Sequence, residues 1–96
     1  MKDDTKLVHG GRRKEWRGNL VNPPVNRAST ILFDTLDELF AAAPYNYGLQ
    51  GTGTQRALAE ALTELEPGAA GTALVPTGLA AVTAALMTVL SAGDEL

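Results

Sequence analysis

The stretch TALVPTGLAAVTAALMTVL, Thr72 to Leu90, decides the fold. Thr72, Ala73, Leu74 and Val75 form a short apolar run that reads as a buried strand. Pro76 and Gly78 punctuate it, and Leu79, Val82, Leu86, Val89 and Leu90 then recur at helical spacing on a segment apolar almost all round. A strand, a tight turn and a helix in this order leave the first amides of the helix without intrahelical partners. Aligned peptide dipoles place partial positive charge there, so a phosphate or carboxylate fits in front of Gly78, which has no side chain to obstruct it. The same pattern also describes an ordinary glycine turn ahead of a core helix.

Working outward, Gly93 is placed to close this helix, and Pro67-Gly68 ends the one before it. In that earlier helix Leu58, Ala61, Leu62 and Leu65 form an amphipathic stripe, Arg56, Glu60 and Glu64 lie outside, and Thr54 is the expected N-cap. The loop YNYGLQGTGT, Tyr45 to Thr54, precedes it. Before the loop, a helix capped by Asp34 or Thr35 carries Leu36, Leu39 and Phe40 on one face and stops at Pro44. Residues 1–29 show little periodicity, and the adjacent Pro23 and Pro24 enforce an extended path. This part reads as an arm that lies on something else, with Thr30 to Phe33 as a brief strand or an extended anchor.

Ninety-six residues suit one small domain that buries about 60% of its unfolded surface. A four-residue strand covered on both faces needs neighbours and helices on each side, which the chain does not supply. The expectation is the front piece of a larger α/β protein, with residues 1–33 as arm and 34–96 as the start of a domain.

Charge is uneven: residues 1–33 carry a net +4 and residues 34–96 a net −7. Arg12, Arg13, Lys14 and Arg17 hold most of the positive charge, which suits a solvated arm or a subunit contact better than nucleic-acid recognition. The chain has no cysteine, which excludes thiol catalysis and disulfides, and a single histidine, His9, which excludes a His-based metal cluster. No charge occurs between Pro67 and Gly93. The helical part, Leu79 to Ala92, would rise only about 21 Å against a hydrocarbon core of about 30 Å, so a membrane span is not expected. The start, MKDDTKLVHGG, has no apolar signal-peptide core, which points to the cytoplasm. Gly53 is followed by Thr54 and Gln55 rather than the Lys of a P-loop, and Gly78 stands alone rather than in a dinucleotide fingerprint.

Four blocks at consistent spacing carry a resemblance. TKLVHGGR (Thr5 to Arg12), VNPPVNRASTILFD (Val21 to Asp34), YGLQGTGTQRALAEALTELE (Tyr47 to Glu66) and PTGLAA (Pro76 to Ala81) resemble successive segments of the Cys/Met-metabolism family of pyridoxal-phosphate enzymes. Within it they look most like the cystathionine beta-lyases. The resemblance implies a fold-type I, aspartate aminotransferase-like large domain, here incomplete. It also implies pyridoxal 5'-phosphate as cofactor and β-elimination of cystathionine to homocysteine, pyruvate and ammonia. By the same resemblance the amides of Gly78 and Leu79 hold the cofactor phosphate. Tyr47 reaches that phosphate from the neighbouring subunit of a dimer that shares its active sites and pairs into a tetramer.

Two departures stand out. Many relatives carry Arg two residues after the tyrosine, where this chain has Leu49 with Gln50 beside it, and Gly53 replaces a usual Pro, which loosens the helix entry. The lysines, Lys2, Lys6 and Lys14, all lie in the arm. The resemblance implies a Schiff-base lysine well beyond residue 96, so none of these residues is expected to be catalytic and the fragment alone is expected to be inactive. The alternatives are a cystathionine gamma-lyase or gamma-synthase of the same family, or a cofactor-free interaction module that grips an acidic partner with its basic arm.

Overall fold

The computed structural model describes residues 2–96 as five α-helices and one 3-10 turn. α1 spans Asp3–His9, α2 Lys14–Arg17, α3 Leu36–Ala41, α4 Gly53–Leu65 and α5 Gly78–Val89, with the 3-10 turn at Gly48–Gln50. No strand forms among the described residues. Thr72 to Val75, expected as a buried strand, enter no backbone ladder, and Leu74 and Val75 remain about 40% exposed. A segment becomes a strand only against another one, and the sole bridge among the described residues joins Thr30 to Tyr47 elsewhere. The α/β expectation is therefore met in its helices and not in its sheet.

α4 is the centre of what packing exists. The arm, expected to lack local structure, folds into α1 and α2, and both dock on α4. Gly11, at φ +71, lies against the Ala57 carbonyl so closely that a Cβ would collide with it. Only glycine adopts this backbone without strain while allowing that approach. Trp16 packs beside Gly53, and the Arg13 guanidinium reaches Glu60 at 2.8 Å and lies 5.4 Å from the Trp16 ring centroid. Glu60 is thus drawn under the arm instead of facing solvent. Ala57 is the one buried apolar side chain among the described residues, at 5% exposure, whereas Leu58 and Leu62 of the anticipated stripe are half exposed. Small residues are buried because they let the arm's backbone come close.

The start of α4 differs from expectation by two residues. Thr52, not Thr54, is the N-cap, and with Gln55 it makes a capping box in which the Thr52 amide donates to Gln55 Oε1 at 2.9 Å. The helix entry is secured despite Gly53. α3 is capped by Thr35, whose hydroxyl accepts from the Glu38 amide at 3.2 Å, and Glu38 in turn accepts from the Asp34 amide at 3.1 Å. Its Leu36 and Phe40 are about 70% exposed.

α5 is uncovered. Leu79, Val82, Met87 and Val89 are between 58% and 78% exposed on a helix expected to be buried. The helix ends at Val89, and Gly93 (φ +98) serves a separate turn in which the Ser91 amide donates to Asp94 Oδ2 at 2.6 Å. The accessible surface of 7712 Å² compares with about 5,300 Å² for a compact protein of this mass, so the chain buries a little under half of its unfolded surface. Its radius of gyration, 16.6 Å, likewise exceeds the roughly 12.5 Å of a compact domain of this length.

Candidate functional site

Thr77 adopts an extended backbone, φ −145 and ψ 158, and its hydroxyl accepts from the Ala80 amide at 3.0 Å. This cap satisfies one of the donors that begin α5. The next backbone bond closes from Ala81 to the Thr77 carbonyl at 3.1 Å. Gly78 and Leu79, the first two helical residues, donate to nothing among the described residues. A Cβ built at Gly78 would meet no atom within 4 Å, and Gly78 and Leu79 are both exposed, so this end of the helix is uncrowded. With no acidic side chain in the first turn, the helix presents two adjacent donors and its positive dipole end. That donor set suits a phosphate group, which takes hydrogen bonds from backbone amides without needing a side-chain cation.

Tyr47 is held by its backbone. It pairs with Thr30, its carbonyl accepts from the Gln50 amide at 3.0 Å, and the following residue, Gly48, donates to the Ser29 carbonyl at 2.6 Å. The phenol makes no hydrogen bond among the described residues, and the side chain is 41% exposed. Among the described residues no hydrogen bond links Tyr47 to Gly78 or Leu79, so the three are not assembled into one site within this segment.

Beside the loop lies a cavity of about 210 Å³, lined by residues that include Tyr45, Leu49, Gln50 and Arg56, with Thr72 and Leu74 from the segment leading to α5. Arg56 is its only charged lining residue. Its guanidinium sits 4.5 Å over the Tyr45 ring, and its Nε donates to the Thr52 carbonyl at 3.4 Å. Sequence spacing placed Arg56 on the outer face of α4. Only the fold of the loop shows it turned toward Tyr45 and into the same cavity as Leu49.

A second cavity, about 410 Å³, lies in the arm against His9, Arg12, Arg17 and Leu20. Its cations already have internal roles. Arg17 donates to the carbonyls of Arg12, Gly18 and Leu20 at 2.9 to 3.2 Å, and Arg12 Nε donates to Asn22 Oδ1 at 2.9 Å. Neither of these two cavities contains Tyr47, Gly78 or Leu79. Among the described residues no cluster of acidic and histidine side chains is placed to hold a metal ion, and no helix is long and apolar enough to cross a membrane.

The model of the family described as "Cys/Met metabolism PLP-dependent enzyme" matches residues 4–96. The chain is 45% identical over 93 residues to a putative cystathionine beta-lyase of Rhizobium johnstonii, covering 96% of this chain and 23% of that protein. It is 40% identical over 99 residues to the cystathionine beta-lyase of Salmonella typhimurium, covering 97% of this chain and 25% of the other. It is also 36% identical over 113 residues to an L-alanine/L-glutamate racemase of Wolbachia pipientis, covering 100% of this chain and 27% of the racemase. The chain thus spans about a quarter of the length of the curated relatives it matches. With the open amides of α5 following the Thr77 cap, and a family match over nearly every residue, the chain belongs to the Cys/Met-metabolism family of pyridoxal-phosphate-dependent enzymes.

Proposed function

We propose that this chain is the N-terminal part of a pyridoxal-phosphate-dependent carbon–sulfur lyase that cleaves cystathionine by β-elimination to homocysteine, pyruvate and ammonia. The observation that carries the reading is the pair of unpartnered amides at Gly78 and Leu79, on the open end of a 12-residue helix. When bound, pyridoxal phosphate supplies an electron sink for charge developing next to the substrate amino group. The residues of this chain seat it. Gly78 and Leu79 donate their N–H groups to phosphate oxygens, and Thr77 keeps its hydroxyl on the Ala80 amide, which holds the first turn in shape. Tyr47 would donate its unused phenol O–H across the dimer, to the phosphate seated on the corresponding amides of the neighbouring subunit.

The arm supports a shared-subunit arrangement. It docks on α4 by one side and leaves Leu20, Val21, Val25 and Leu32 between 59% and 90% exposed, an apolar margin suited to a second copy. In this reading two copies share active sites, dimers pair into a tetramer, and the assembly works in the cytoplasm on a small sulfur amino acid. The proton-moving lysine comes from outside these 96 residues. Lys6 is paired with Asp3 at 3.3 Å, and Lys2 and Lys14 lie in the arm with it. Cleavage at the γ-carbon, or γ-synthase chemistry, would use the same phosphate seat.

The test is to reconstitute the full-length protein carrying this segment with pyridoxal phosphate and to assay pyruvate and homocysteine released from cystathionine. Stoichiometric release of both, with none from the 96-residue chain, is expected. Alanine racemisation without pyruvate release would overturn the lyase assignment.

A further inference from the structure

Tyr47 stands on a loop whose backbone is held from one side by the arm. Gly48 is buried, its amide donates to the Ser29 carbonyl at 2.6 Å, and Thr30 bridges Tyr47 in antiparallel sense. A Cβ at Gly48 would collide with the Ala28 carbonyl, so a glycine here lets the arm lie directly on the loop.

The same stretch of arm is fastened at its other end. The Thr54 hydroxyl donates to the Pro24 carbonyl at 2.7 Å and accepts from the Asn26 amide at 2.7 Å, which uses both of its hydrogen-bonding modes on residues about 30 positions away. Pro23 and Pro24 restrict the backbone torsions at this end. Thr54 belongs to the first turn of α4, which is itself fixed by the Thr52–Gln55 capping box. Residues 24–30 therefore form a strut from the start of α4 to the backbone at Tyr47–Gly48.

We propose that residues 24–30 are the mount of Tyr47, with Thr54 and Gly48 as positioning residues that set where its phenol points. Neither Thr54 nor Gly48 touches the cofactor. Thr54 acts through the strut, and Gly48 through the close contact with Ala28. This inference rests on the reading that Tyr47 donates to the cofactor phosphate. It adds that the arm of the same chain, and not only the subunit opposite, governs that donation. Thr54 consequently has a role separate from helix capping, which Thr52 performs.

The experiment uses the full-length protein with Thr54→Val, Thr54→Ser, Tyr47→Phe and the Tyr47→Phe/Thr54→Val double variant. Two quantities are measured: the dissociation constant for pyridoxal phosphate, and hydrogen exchange in the peptide containing Gly48. Removing a hydrogen bond to a charged acceptor weakens binding about tenfold or more, so Tyr47→Phe is expected to raise the dissociation constant by that factor. Thr54→Val is expected to speed exchange at Gly48 and weaken cofactor binding several-fold, and Thr54→Ser to restore both. In the Tyr47→Phe background, Thr54→Val should add nothing to the loss of affinity, because the phenol it positions is gone.

Faster exchange with unchanged affinity in Thr54→Val would overturn the positioning role, as would full additivity in the double variant or no change in exchange. Unchanged affinity in Tyr47→Phe would instead remove the phosphate role of Tyr47. The exchange data would then still report separately whether the strut holds the loop.

Discussion

Arg13 and Glu60 are 47 positions apart in sequence, and the guanidinium Nε lies 2.8 Å from one carboxylate oxygen and 2.9 Å from the other. This pair joins the start of α2 to the middle of α4. The Arg13 side chain is 61% exposed and that of Glu60 19%, so solvent screens one end of the interaction more than the other. A double-mutant cycle with Arg13→Gln and Glu60→Gln should give a coupling of about 0.5 kcal/mol in urea unfolding at low salt. The coupling should largely vanish near 1 M salt, where the screening length falls to about 3 Å. Arg13→Gln should cost more than Glu60→Gln because it also removes the contact with the Trp16 ring.

Thr52→Ala should destabilise the chain by about 1 kcal/mol, since it removes the cap of the helix on which the arm rests. The denaturant midpoint should fall without a change in slope. Gln55→Ala should cost less, because the Thr52 hydroxyl still accepts from the Thr54 amide at 3.3 Å. Equal stability in Thr52→Ala would mean that α4 is held by the arm and not by its own cap.

The uncovered face of α5 makes the 96-residue chain adhesive by itself. Leu79, Val82, Met87 and Val89 expose apolar area on a helix that carries no charge. Sedimentation of the isolated chain should show concentration-dependent association. A Leu79→Gln/Val82→Gln/Met87→Gln variant should shift it toward monomer. A monomeric wild-type chain at all concentrations would show that this face needs no cover.

The features legible in the sequence were local ones. Gly78 ahead of an apolar periodic run marks the start of α5 because the turn and the first helical amides are set by neighbouring residues, although the Thr77 cap itself was not singled out. The cap of α3, narrowed to Asp34 or Thr35, and the end of that helix before Pro44 were readable for the same reason. Thr52-x-x-Gln55 also spells a capping box, yet Thr54 sits in nearly the same context, and what separates them is the contact of Thr54 with Pro24 and Asn26, which no local pattern reveals. The helices of the arm escaped notice because α1 and α2 are seven and four residues long and hold their shape against α4. Arg56 was misplaced because its helical position says nothing of the loop that brings Tyr45 beneath it. The strand at Thr72 to Val75 was read from composition, whereas pairing depends on a neighbour. Tyr47 was singled out by family resemblance alone.

Gly78→Pro in the full-length protein tests the central claim most directly. Proline suits the first position of a helix and deletes one N–H, and the extended Thr77 before it already has the backbone that a following proline requires. Far-ultraviolet circular dichroism should therefore be unchanged. The dissociation constant for pyridoxal phosphate should rise about tenfold or more, as expected for losing a donor to a charged acceptor, and Gly78→Ala, which keeps the N–H, should lose less. Affinity equal to wild type in a correctly folded Gly78→Pro protein would contradict the assignment of this amide to the phosphate seat.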